Sequence, residues 1–331
     1  MPKQASARAH SNIAFIKYWG NRDDDLRLPI NPSISMNLAD LYTDTTVTWD
    51  DATDDDILYI NGEQQTGKAR ERVVAHLNQI RQRYQINANA SVYSHNNFPM
   101  GAGIASSASA FAALTLAAVR AAGLNLSERE LSTIARLGSG SASRSIPAGF
   151  VVWYAGDTHE SAYAESVAAS DHWDLVDVIA VVSDQHKRTT SQAGHPTAQT
   201  SDLQDARVAG AVDRLEQCQQ AIQSRDFARL ADVVEHDSNL MHAVMMTSRP
   251  PLFYWKPRTL TIMELVRQWR DIDGLQVCYT LDAGPNVHCI CVRDAAETVR
   301  ERLMALSGII DVLVSPVGSS AQIISTSDQN T

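Results

Sequence analysis

Strand-like and helix-like patterns fall in separate blocks along this 331-residue chain, and that ordering excludes more folds than any composition figure. The first 60 residues read mostly as strands. Thr45-Thr46-Val47-Thr48-Trp49 is rich in β-formers, and Ile57-Leu58-Tyr59-Ile60 runs into the hairpin signal Asn61-Gly62. From Lys68 to Tyr84 the period becomes helical, with Val73, Val74, Leu77, Ile80 and Tyr84 on one face. An Ala-rich helix is expected over 106–122, and Ser127-Glu128-Arg129-Glu130 is a capping box that opens another to about Leu137. Strands follow at 150–154 and 176–182. Beyond residue 183 a polar loop leads to helical patterns at 203–222, 226–246 and 258–270, then strands at 276–281, 287–292 and 309–314. Elements segregated in this way predict an α+β fold rather than a doubly wound parallel sheet. The change in texture places a domain division at residue 182, giving segments 1–182 and 183–331.

Composition narrows the function classes. Twenty-eight Lys and Arg stand against 38 Asp and Glu, a formal charge of −10. So acidic a chain is a poor nucleic-acid binder, which needs a positive footprint. An anionic ligand would need cations gathered locally against the overall field. No run of 18 apolar residues predicts a membrane span, and the first fifteen residues lack the apolar core of a secretory signal. Cys218, Cys278, Cys289 and Cys291 form no CxxC pair and read as buried free thiols, consistent with a cytoplasmic location.

Two small-residue loops carry the chemistry. Gly101, Ala102, Gly103, Ile104, Ala105, Ser106, Ser107 and Ala108 lead into the Ala-rich helix. Glycines let the backbone approach a ligand, and a helix start offers unpaired N–H groups and a positive dipole end to phosphate oxygens. A plain loop with an N-cap fits the same letters. The segment is neither a Walker loop, for no Gly-Lys-Ser/Thr follows, nor a dinucleotide fingerprint. The second loop, Gly138-Ser139-Gly140-Ser141-Ala142-Ser143-Arg144-Ser145, concentrates hydroxyl donors around one guanidinium suited to a two-pronged grip on a carboxylate. A solvated surface loop is the competing reading.

Five motifs in order resemble one family. They are Ser11-Asn12-Ile13-Ala14-Phe15-Ile16-Lys17-Tyr18-Trp19-Gly20, the loop through Gly103 to Ala108, Gly138 to Arg144, Asp237-Ser238-Asn239 with His242-Ala243, and Asp282-Ala283-Gly284-Pro285-Asn286. The chain is similar to mevalonate diphosphate decarboxylases of the GHMP small-molecule kinase superfamily. The resemblance implies an N-terminal domain like ribosomal protein S5 domain 2, a C-terminal ferredoxin-like α+β domain, and an active site in the cleft between them. It also implies a homodimer, ATP and Mg²⁺ as cofactors, phosphorylation of the 3-hydroxyl of a 5-phosphorylated mevalonate, and departure of phosphate and CO₂.

By the same resemblance Asp282 is the base for the tertiary alcohol, Lys17 the cation beside it, and Arg144 the clamp on the substrate carboxylate. Tyr18, Ser139, Gly140, Ser141 and Ser191 are donors around the substrate, Gly101 to Ala108 cradle the nucleotide phosphates, and Ser107 is a candidate Mg²⁺ ligand. The chain departs from the family pattern at two places. Asn21 stands where the motif continues with lysine, and Gln192 where bacterial relatives often carry arginine. Both missing cations belong to the diphosphate end, which predicts mevalonate 5-phosphate as substrate and isopentenyl phosphate as product. Arg22, Lys187 and Arg188 are the nearby cations able to substitute. The alternatives are the diphosphate substrate, a 3-kinase that stops before decarboxylation, and a non-catalytic binding module.

Overall fold

The β-rich start of the chain folds back on itself over almost its full length. The computed structural model describes residues 3–98, 106–183 and 189–326. β1 (Lys3–Ile16) passes through a short ribbon, β2 (Asn21–Asp23) and β3 (Leu28–Pro29), into β4 (Ser33–Asp50). β4 pairs antiparallel with β1 from Lys3↔Trp49 to Ile16↔Ile34. Burial along β4 alternates residue by residue over 41–50 and is continuous over 33–38, where both faces of the sheet are covered. β5 (Ile57–Ile60) and β6 (Glu63–Gln64) form the expected hairpin, with positive φ at both Asn61 (50°) and Gly62 (84°). Then come α1 (Gly67–Tyr84), β7 (Asn89–Asn96), α2 (Ser106–Ala121), α3 (Glu128–Gly138), a 3₁₀ turn at Gly140–Ser145, β8 (Phe150–Trp153) and β9 (Ala164–Ala168). The capping box at Ser127 is formed as expected.

The rest of the chain adds β10 (Leu175–Val181), α4 (Ser191–Gly194), α5 (Gln204–Ala209), α6 (Ala211–Ser224), α7 (Phe227–Thr247), α8 (Pro257–Asp271), β11 (Val277–Thr280), β12 (Val287–Val292), α9 (Arg293–Met304), β13 (Asp311–Pro316) and β14 (Gln322–Thr326). One sheet runs β14-β1-β4-β7-β5-β6, with β8 and β9 continuing from the first half of β4; a second runs β11-β12-β10-β13. β10 pairs with β12 and β13, and β14 returns to pair with β1, so segments on each side of residue 182 contribute to both sheets. The helix expected over 203–222 is two helices that meet at Gly210.

Three cores hold the layers. α1, α2 and α3 cover one face of the large sheet through Leu77, Ile80, Phe111 and Ile134 packed on Ala5, Ala7, Ala9 and Val47. Its other face, Ile13, Phe15, Ile34 and Met36, shares a core with α6, α7 and the inner face of the small sheet. α8 and α9 close the outer face of the small sheet through Ile262, Val266, Val299 and Leu303. All four cysteines are free and buried, and Cys289 and Cys291 share that outer core. Among the described residues no helix is long and apolar enough to cross a membrane.

Candidate active site

Two chain segments far apart in sequence meet where the large and small sheets face each other. Lys17 follows the last residue of β1, and Asp282 lies two residues past β11. Their side chains form an ion pair, Nζ to Oδ1, at 2.8 Å. Lys17 is 1% exposed and Asp282 25%, so the carboxylate keeps an open side and the ammonium does not. Burial alone would raise the Asp282 carboxyl; Lys17, with His288 and Arg144, outweighs it and holds the group below the ordinary carboxylate value. Burial draws the Lys17 ammonium down, against the pull of Asp282.

α7 fixes the register of this pair. Asp237 Oδ2 accepts the Lys17 backbone N–H at 2.6 Å, and Ser238 Oγ accepts the Leu281 N–H at 3.0 Å. Adjacent residues of one helix thus tie down both strands that deliver the charged pair. Asp237 is itself fully buried and bonded through Oδ1 to Arg214 Nε at 2.7 Å. Arg207 donates to the carbonyls of Lys17 (3.4 Å) and Trp19 (2.6 Å), and Asn31 donates to that of Lys17 at 3.0 Å. The Lys17–Trp19 backbone has almost no freedom left. On the other strand the Asn286 carboxamide accepts from the N–H groups of Val182 and Ser183, which pins the far end of the Asp282 turn.

Arg144, on the 3₁₀ turn, is buried with only neutral partners: Ser35 Oγ at 3.1 Å, Ser33 Oγ at 2.6 Å and Asn12 Oδ1 at 3.3 Å. It forms no ion pair among the described residues, so its charge is oriented but not neutralised. Burial lowers its pKa to about 10, with Asp282 acting the other way, and it remains a cation at neutral pH.

A cavity of about 360 Å³ joins these groups. Lys17, Tyr18, Arg144 and Asp282 line it, together with Ser139, Gly140, Ser141 and Ser191 and with Ser106 and Ser107 at the start of α2. Ser107 Oγ lies 3.1 Å from Ser139 Oγ, which in turn lies 3.3 Å from Ser141 Oγ, so the helix start and the serine turn form one hydroxyl chain. Gly140 has to be glycine, because a Cβ there would lie 2.5 Å from the Tyr18 ring. The expected acid and the helix start therefore share one space.

The other expected residues lie as follows. Gly101 to Ala105, with Lys187 and Arg188, lie outside the described residues. Ala108 points into the core under α2, and its side chain takes no part in the cavity. Asn21 does not line the cavity directly; its Oδ1 accepts the Tyr18 hydroxyl, and its Nδ2 donates to Asp24 Oδ1 at 2.7 Å. Arg22, a candidate substitute cation, turns outward to pair with Asp157 on the surface. The wall also carries Arg27, Arg72 and His195, which sequence reasoning did not place there. Arg72 had a legible signal, since it precedes the buried His76 and Ile80 by one and two helical turns.

Residues 9–164 match the family model for the diphosphomevalonate decarboxylase-like N-terminal domain, and residues 177–323 that for the mevalonate 5-diphosphate decarboxylase C-terminal domain. Diphosphomevalonate decarboxylase mvd1 of Aspergillus fumigatus is 38% identical, covering 92% of this chain and 81% of its own length. The phosphomevalonate decarboxylase of Haloferax volcanii is 31% identical, covering 98% of this chain and 99% of its own. Among solved structures, that of MDDEF in complex with MVAPP, AMPPCP and magnesium overlays with a TM-score of 0.92 at 36% identity, covering 98% of this chain and 100% of that one. The fold is the two-domain, GHMP-kinase-like one. With both halves matched in order and relatives aligned over nearly the whole length, the chain belongs to the diphosphomevalonate decarboxylase family.

Proposed function

We propose that this chain converts mevalonate 5-phosphate to isopentenyl phosphate. At the coarser level it is an ATP- and magnesium-dependent decarboxylase of a 5-phosphorylated mevalonate. The residues present suit those cofactors. Ser106 and Ser107 open the 16-residue α2 toward the cavity, where N–H groups and hydroxyl oxygens favour phosphate and a hard cation. No group of three or more His, Cys, Asp or Glu able to hold a metal occurs among the described residues, so Mg²⁺ would be carried largely on nucleotide phosphates with Ser107 as a protein ligand. Bound there, MgATP supplies the phosphoryl group and the charge neutralisation its transfer needs.

The chain's own residues do the rest. Asp282 accepts the proton of the 3-hydroxyl, and Lys17 keeps that carboxylate ionised and steadies the 3-oxygen. Arg144 orients the substrate carboxylate. When the bond from that carboxylate to C2 breaks, its electron pair forms the new C2–C3 double bond, and the C3–O bond releases phosphate. The carboxylate loses its charge in that step, so the useful part of the grip is orientation, which the bonds of Arg144 to Ser33 and Ser35 fix in advance, and not tight binding of the ground state.

The observation that favours the monophosphate is the state of position 21. Asn21 is neutral, its side chain is engaged on both sides by Tyr18 and Asp24, and the group beyond it is a carboxylate. That arrangement offers a second phosphate no cation at position 21, where a lysine would attract it by a few kcal/mol at an effective dielectric of about 20. The full-length match to the Haloferax phosphomevalonate decarboxylase supports the same reading. The diphosphate is the second reading, favoured by the names of most relatives and by the MVAPP complex. Measuring kcat/KM with both substrates decides between them. A preference for the monophosphate of about tenfold or more is expected, and a preference for the diphosphate overturns it.

A further inference from the structure

The cavity wall next to Tyr18 holds two arginines that form no ion pair among the described residues. Arg27 comes from the turn between β2 and β3, and Arg72 from α1. Their side chains converge on consecutive carbonyls at the C-terminal end of α3: Arg27 Nε donates to Leu137 O at 2.8 Å, and Arg72 Nη2 to Gly138 O at 2.9 Å. Neither forms an ion pair among the described residues, and the Arg72 Nε is buried without a partner. Asp25 is exposed, and the exposed Asp24, which accepts from Asn21, acts on Arg27 only at longer range than an ion pair. Each arginine is drawn down by burial, and for Arg72 the charge of Arg27 adds to the effect. Two like charges brought together on a concave wall, with no ion pair to either among the described residues and only Asp24 acting on Arg27 from a distance, suit an anionic ligand.

Arg27 also holds a backbone shape that costs free energy. Its φ is +47°, in the left-handed region that non-glycine residues seldom adopt. The same wall carries a neutral donor. His195 Nδ1 accepts the Gly20 N–H at 3.0 Å, which leaves the ring proton on Nε2. Its ring packs on Tyr18 at 4.2 Å and Trp19 at 4.6 Å between centroids. Burial, with Arg27 and Arg207, pushes its pKa down to about 3, so the ring stays neutral.

We propose that Arg27 is the residue that recognises the substrate's 5-phosphoryl group, with His195 Nε2–H beside it, replacing the cation absent at position 21. This deepens the reading of the chain as a decarboxylase of a 5-phosphorylated mevalonate and rests on it. A single phosphate dianion facing two guanidinium groups is balanced in charge. Arg27 donates to the phosphate through its two terminal nitrogens, which take no protein acceptor among the described residues.

The test compares the wild type with Arg27→Met, Arg27→Asn and Arg27→Lys, each assayed with mevalonate 5-phosphate, mevalonate 5-diphosphate and ATP as the varied substrate. Asn tolerates left-handed backbone, so it guards against a Met variant that fails to fold. The neutral variants are expected to raise KM for the phosphorylated mevalonate roughly 10- to 100-fold. The KM for ATP should stay within about threefold, and Arg27→Lys should recover part of the loss. An unchanged substrate KM in the folded neutral variants, or an equal rise for ATP, overturns the assignment. A wild-type preference for the diphosphate would count against the monophosphate reading alone, because the loss in the Arg27 variants is then read on the diphosphate.

Discussion

The two ends of the cleft are built on different principles. At the reactive end, Lys17 and Asp282 are held by buried, long-range bonds: Asp237 to the Lys17 backbone, Ser238 to Leu281, Arg207 to two carbonyls. At the tail end, Tyr18, Asn21 and Asp24 are joined by short-range bonds in a partly exposed turn. The first arrangement tolerates little change, since loss of one partner leaves a buried charge uncompensated. The second can exchange residues at small cost to the fold, which is why the proposed substrate preference is assigned to it. That the chain follows the family motif at one end and departs from it at the other accords with this division.

The largest effect should follow from breaking the reactive end chemically. Asp282→Asn removes the proton acceptor but keeps the shape, and kcat should fall roughly a hundred- to ten-thousandfold while the ATP dissociation constant, measured by titration calorimetry, hardly moves. A residual kcat near wild type would remove Asp282 from its role. Next comes the support beneath it. Asp237→Ala leaves the Arg214 guanidinium buried and unpaired, with an expected loss of about 3–5 kcal/mol in urea-unfolding stability. Asp24→Asn, at the exposed tail end, should stay within about 0.5 kcal/mol by the same measurement. Equal losses in the two variants would erase the contrast. The last variant probes the tail end directly. Asn21→Lys should move the ratio of kcat/KM toward the diphosphate by about tenfold. An unchanged ratio would mean that position 21 does not face the distal phosphate.

How much of this was legible from sequence depended on the range of the bonds involved. Lys17, Arg144 and Asp282 sit inside recognisable motifs, and the structure gathers them around one cavity as expected. Local signals held where the chain decides its own conformation, as at the Asn61-Gly62 turn and the Ser127 cap. They failed where tertiary contacts decide. Asp237 was visible as a motif letter, but its bond to Lys17 spans 220 residues, and nothing in either segment announces it. Arg27 has no local signal beside Asp23, Asp24 and Asp25, because its left-handed backbone and its bond to Leu137 are what turn it inward. α9 was missed because its buried face is only Ala295, Val299 and Leu303 among charged neighbours.

The central claim is that proton removal by Asp282 leads on to carbon–carbon cleavage within the same cleft. Phosphorus NMR of a single turnover with mevalonate 5-phosphate and MgATP, with evolved CO₂ quantified alongside, tests it most directly. The account predicts ADP, inorganic phosphate and CO₂ in equal amounts, with isopentenyl phosphate as the organic product. A 3-phosphorylated mevalonate that persists without CO₂ would contradict it and make the protein a kinase.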